Sequence, residues 1–161
     1  MKTKVIFLFL LSLSLFSAGQ NGNLSIEKAI DEVITPSDSY FEVTKDMFEM
    51  LSESKGASPE YVNYIKQLHK LKMIQPGNSK GHGEIIVNNF LENANLQGYT
   101  RLMTRRDNHE ILHFYKKENK AENEFLLVSS NMIIYITGTL DLKTIGEFEQ
   151  VMKIAGSAFD M

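Results

Sequence analysis

Met132-Ile133-Ile134-Tyr135-Ile136 is apolar at every position, and so is Phe125-Leu126-Leu127-Val128 just before it. Side chains alternate across a strand, so Met132, Ile134 and Ile136 share one face while Ile133 and Tyr135 share the other. A strand that is greasy on both faces belongs in the middle of a sheet or under cover on both sides. Ser129-Ser130-Asn131 supplies turn residues between the two segments, which predicts a hairpin. Gly138 interrupts the second strand near its end, as a bulge or a close backbone approach requires.

A helix is predicted to follow. Asp141 is a good N-cap, and Leu140 and Ile145 are placed as a hydrophobic staple. Leu142, Ile145, Phe148, Met152 and Ala155 then recur at helical spacing, giving one apolar face that needs a sheet to lie on. These residues read as core rather than as a cofactor or lipid pocket.

The N-terminus bounds the compartment. Lys2 and Lys4 precede an apolar run from Val5 to Phe16 that ends in Ser17-Ala18-Gly19, the pattern of a secretory signal peptide cleaved after Gly19. The run is shorter than the ~20 residues that span a bilayer, so no transmembrane span is expected after cleavage. Gln20 stands where a bacterial lipoprotein carries its lipidated cysteine, and a chain with no cysteine can hold neither that anchor nor a disulfide. Removing 19 of 161 residues leaves 142, enough for one domain with a real core. The removed segment holds two of the 17 basic residues and none of the 20 acidic ones, so the mature chain carries five net negative charges. Nucleic acid is excluded as an expected partner, because no basic face stands out beyond Arg101, Arg105 and Arg106.

Between these ends the pattern changes period. Ile26, Ala29, Ile30 and Val33 after Ser25 predict a short amphipathic helix, stopped before Pro36. Thr35 to Asp38 reads as a linker, Tyr40 to Val43 as a short strand, and Lys45 to Ser52 as a helix with Met47, Phe48 and Leu51 on one side. Ser58-Pro59 starts a further helix whose buried face is Tyr61, Tyr64, Ile65 and Leu68. Leu71 to Ile74 reads as a strand ended by Pro76-Gly77, and Lys80 to Leu96 as a helix closed by Gly98. From Tyr99 the period becomes two. Tyr99 to Arg105 and Glu110 to Lys116 join the two apolar strands in an antiparallel meander, with Asp107-Asn108 and the charged stretch Lys116 to Glu124 as turns. The expected fold is α+β: an antiparallel meander of four to five strands, helices before it and one C-terminal helix on the sheet. The expected domains are a signal peptide at 1–19, a short helix and linker at 20–38, and a single α+β domain at 39–158.

One motif carries possible chemistry. His109-Glu110-Ile111-Leu112-His113 matches H-E-x-x-H, which in zinc peptidases works because a helix sets positions i and i+4 on one face and lets the Glu activate the metal's water. On a strand those positions are ~13 Å apart and cannot share an ion. The flanking alternation favours a strand here, and the candidate third ligands Glu118, Glu122, Glu124 and Glu147 are not compelling. Elsewhere, His82 between Gly81 and Gly83 reads as an exposed linker residue, since neither phosphate-loop pattern is present. His69 is placed at a helix end, where a cation suits the dipole. There is no Gly-x-Ser-x-Gly elbow and no thiol nucleophile. Arg101, Arg105 and Arg106 offer an anion or an acidic partner a place to bind, against the plainer reading of a solvated strand. Met47, Met50, Met73, Met103, Met132 and Met152 read as packing residues.

The signal peptide, Val43-Thr44-Lys45-Asp46-Met47-Phe48, Gly98-Tyr99 before paired strands, and above all Ile136-Thr137-Gly138-Thr139-Leu140-Asp141-Leu142 resemble the domain of unknown function 4252 family, small exported proteins of Bacteroidota. The resemblance covers nearly the whole mature chain. It implies an α+β domain in the cell envelope, often a lipoprotein, with β structure where His109, Glu110 and His113 stand and no catalytic residues, metal or cofactor to carry over. The functional expectation is an exported, periplasmic or secreted module that binds an envelope protein or component and is not an enzyme. The alternatives are zinc-dependent hydrolysis through His109, Glu110 and His113, and sequestration of a small apolar ligand in a cavity between sheet and helices.

Overall fold

A computed structural model describes residues 22–53, 58–107 and 110–140. Its elements are α1 (Ile26–Val33), β1 (Ser39–Thr44), α2 (Lys45–Ser52), α3 (Pro59–Ile65), β2 (Leu68–Gln75), α4 (His82–Asn93), β3 (Thr100–Asp107), β4 (Glu110–Glu118), β5 (Asn123–Ser129) and β6 (Met132–Gly138). The strands form one sheet in the order β1-β2-β6-β5-β4-β3, antiparallel at every neighbour. The class is α+β as expected. The strand number is six rather than four to five, because β1 and β2 pair with each other and then with β6.

That addition makes β6 an inner strand. Ile133 and Tyr135 face α1 and α4, in a core with Ile30, Ile74, Phe90, Leu126 and Val128. Ile134 and Ile136 face α2 and α3, with Phe48, Ile65, Leu68, Leu71 and Phe125. Each large apolar side chain removed from water in this way contributes roughly 1.5–3 kcal/mol. The two-sided apolarity of 132–136 is therefore the trace of a sheet with helices on both faces.

Local chemistry explains most of the boundaries. Ser25 caps α1 by accepting the Lys28 N–H, and Ser58 caps α3 by accepting the Tyr61 N–H ahead of Pro59. α3 stops at Ile65, so Leu68 and His69 open β2 instead of closing a helix. α4 ends at Asn93 rather than Leu96. Gly98, at φ +84°, serves the turn into β3 and is not the helix cap. Gly138 is a close approach: a Cβ there would stand 2.1 Å from the Gln67 carbonyl oxygen, which accepts the Thr139 N–H at 2.9 Å. Leu140 is buried on the α2–α3 side, and its carbonyl accepts from Asn123 Nδ2 at 2.7 Å. The cap at Asp141 and the helix expected over Leu142–Ala155 lie outside the described residues. Among the described residues no helix is long and apolar enough to cross a membrane.

The methionines correct the packing expectation in part. Met73 and Met132 are half-buried against the core, whereas Met47, Met50 and Met103 are exposed. Met152 lies outside the described residues.

Candidate binding surface

The β3–β4 pair forms one end of the sheet. Every residue from Thr100 to Arg106 is exposed, and β3 ends the sheet, so one row of its backbone N–H and C=O groups faces no neighbouring strand among the described residues. Leu102, Met103 and Ile111 are each more than 40% exposed, large apolar side chains on an open edge.

A bulge between Arg101 and Met103 sets the face each arginine occupies. Arg101 pairs with Tyr115, Thr104 with His113 and Arg106 with Ile111, so Arg101 and Arg106 share the face of His113. Five positions apart, they would lie on opposite faces of a regular strand. Arg105, opposite Leu112, and Met103, opposite Phe114, take the other face. His113 Nδ1 lies 3.0 Å from Thr104 Oγ1, and its ring is 6.0 Å from that of Tyr115. Burial, then the charges of Arg101 and Arg106, push the His113 imidazole below the usual histidine range, so the positive charge of this face at neutral pH comes from the arginines.

The same strand decides what the H-E-x-x-H segment can do. Glu110 to His113 are residues of β4, with Ile111, Leu112 and His113 in register with Arg106, Arg105 and Thr104; His109 lies outside the described residues. Strand spacing does not form the two-imidazole clamp of a helix. The carboxylates considered as third ligands are engaged elsewhere: Glu118 with Lys116, Glu122 with His69, and Glu124 with two tyrosines; Glu147 lies outside the described residues.

Glu124 anchors a network that the periodicity of the sequence did not reveal. The Tyr99 and Tyr135 hydroxyls both donate to its Oε2, the latter at 2.8 Å. Asn119 Nδ2 at 2.7 Å and Lys117 Nζ at 3.3 Å donate to Oε1. Burial works to raise the carboxyl pKa, but the tyrosine hydrogen bonds and Lys117 outweigh it and hold Glu124 below the carboxylate range. Burial, followed by the Glu124 hydrogen bonds, pushes both tyrosines up. The stretch Lys116 to Glu124, expected to be a solvated turn, is thus strand at both ends, with Lys116 buried and Glu124 only 15% exposed. A polar-lined cleft of about 440 Å³ opens beside this network, bordered by Ser25, Glu27, Gln97 and Lys117.

At the other end of the sheet His82 is corrected from an exposed linker residue to a partner of Asp38. Its Nε2 lies 2.7 Å from Asp38 Oδ1, and the Asp38 side chain has no exposed surface. The same Nε2 is the ring nitrogen in contact with Ser37 Oγ, at 3.4 Å, so the Ser-His-Asp relay, which uses both ring nitrogens, is not formed. Burial would raise the Asp38 carboxyl, but hydrogen bonds from the Gly77 N–H, the Thr35 hydroxyl and N–H, and His82 take it down to about 2. Gly77 in turn lines a polar cleft of about 500 Å³ with Ser79, Gly83 and Ser130. Neither cleft is the closed apolar cavity that a lipid carrier needs. His69, placed at a helix end by the sequence reading, lies in β2 with Nδ1 3.0 Å from Glu122 Oε2. Among the described residues no group of three or more His, Asp or Glu is close enough to hold a metal ion.

The family model described as Domain of unknown function (DUF4252) matches residues 35–148. The chain belongs to this family. The DUF4252 match takes in all six strands and starts just after α1, whose Ile26, Ala29, Ile30 and Val33 are nonetheless part of the core. No curated protein and no solved structure matches the chain.

Proposed function

We propose that this DUF4252 protein is an exported, non-enzymatic binding module that engages a protein of the cell envelope through the β3–β4 end of its sheet. The observation that carries this reading is the exposure of the whole of Thr100–Arg106 on a terminal strand, with Leu102, Met103 and Ile111 open to solvent among arginines. Apolar side chains on an unpaired edge are a hazard that folded proteins usually cover, and retaining them is explained by a partner that does so. The strand conformation of Glu110 to His113 favours binding over zinc hydrolysis, and the engaged states of Glu118, Glu122 and Glu124 favour it further. The export half of the reading rests on the basic, apolar and small-residue pattern of Met1 to Gly19.

A photoreactive amino acid placed at Met103, in cells producing the protein, tests the surface. Adducts from position 103, and none from a probe at the still more exposed Met50 on α2, are the expected result. Adducts from both positions, or from neither, reject the assignment. Sequencing the mature N-terminus tests export, with Gln20 expected first.

A further inference from the structure

We infer that the segment of the partner that seats on β3 is an acidic, extended peptide, added to the sheet as a further strand. This rests on the binding reading above and specifies what binds. An open strand edge recognises backbone before side chains, because its unpaired N–H and C=O groups are satisfied by another extended chain. β3 provides eight residues of such edge, longer than the six of β1 at the opposite end.

The side chains select the charge of the incoming strand. Arg101, Arg105 and Arg106 crowd one edge strand of a chain whose net charge is −3. Guanidinium groups favour carboxylates through paired, charge-assisted hydrogen bonds. Two copies of β3 paired edge to edge would bring arginines together, and like charges opposite one another destabilise a strand pair. The edge therefore disfavours itself while it favours an acidic partner.

The bulge also sets the spacing of that acidity. Arg101 and Arg106 stand opposite Tyr115 and Ile111, which are four positions apart on β4, so the two side chains leave one face of the strand from backbone positions ~13 Å apart. An incoming strand meets both with carboxylates at positions i and i+4. Leu102 and Met103 lie between them and offer apolar contact to β-branched residues at the intervening positions.

The test uses the full mature chain and a blocked peptide matched to the eight residues of β3, valine and threonine throughout except glutamate at i and i+4. Companion peptides carry lysine in place of glutamate, glutamate at i and i+3, or proline at two central positions. Anisotropy at low salt reads affinity, and hydrogen exchange reads the amides of residues 100–107. The acidic peptide is expected to bind and to slow exchange in β3, with each companion peptide weaker by roughly tenfold or more, and the R101E/R106E double variant weaker by a similar factor. Equal binding of the lysine peptide overturns the proposal. So does binding without slowed exchange in β3, which would mean charge attraction alone. If concentration-dependent self-association is abolished by R101E/R106E and no peptide binds, the edge belongs to a second copy and the proposal falls. Should the double variant fail to fold, the peptide series decides by itself. Adducts from position 103 alongside failure of the acidic peptide would leave the binding surface standing and remove only this assignment.

Discussion

Asp38 Oδ1 and His82 Nε2 meet at 2.7 Å although the residues are 44 positions apart in the chain. The contact ties the segment between α1 and β1 to the first turn of α4, and the same carboxylate holds the loop after β2 through the Gly77 N–H at 3.0 Å. It fastens one end of the fold by hydrogen bonds from three separate segments to one buried carboxylate.

Asp38 makes stability depend on acid. Its carboxyl is depressed from 3.8 to about 2, so its contribution is fully present above pH 3.8 and is lost as pH falls through about 2. That gap corresponds to about 2 kcal/mol. Asp38→Asn is expected to lower unfolding free energy by about that amount at pH 7 and by much less near pH 2, read from urea midpoints across the pH range.

Glu124 predicts a different pattern, because four donors converge on it. Glu124→Gln places an amide among groups arranged to donate and is expected to cost about 1–3 kcal/mol. Tyr135→Phe removes a single donor and is expected to cost about 1 kcal/mol. In a double-mutant cycle measured by denaturation the two losses should fall short of adding; strict additivity would mean the hydroxyl and the carboxylate do not act on one another.

Lys72 is an asymmetric ion pair. Its side chain is 6% exposed, while its partners Asp31, at 2.9 Å, and Glu42, at 3.9 Å, are 55% and 34% exposed. Removing the ammonium leaves carboxylates that water can reach, but removing the carboxylates strands a buried cation. Lys72→Met is thus expected to cost under about 1 kcal/mol, and the D31N/E42Q pair about 2–4 kcal/mol, in the same denaturation assay.

Two glycines should resist alanine for opposite reasons. At Gly138 a Cβ meets the Gln67 oxygen at 2.1 Å, backbone that cannot give way without opening the sheet, so Gly138→Ala is expected to cost about 1–3 kcal/mol or more. Gly81 has open space around its Cβ position but φ of +77°, so Gly81→Ala is expected to cost only about 1 kcal/mol, for conformation alone. Thermal unfolding of the two variants separates the cases, and similar losses would contradict the crowding at Gly138.

Several elements were legible from residues alone. The two-sided apolarity of Met132 to Ile136 announced an inner strand, the period of two after Tyr99 announced the meander, and Ser25 and Ser58 marked where α1 and α3 begin. Each is a local property, since propensity, capping and side-chain alternation act within a few residues. The tertiary structure alone decided that β1 and β2 complete the sheet beside β6, that His82 finds Asp38, and that Glu124 gathers Tyr99 and Tyr135. It also decided that a one-residue bulge brings Arg101 and Arg106 to the same face. These relations depend on which distant segments meet and in what register, and that is set by the free energy of closing loops and filling a shared core, of which a single strand or helix carries no imprint.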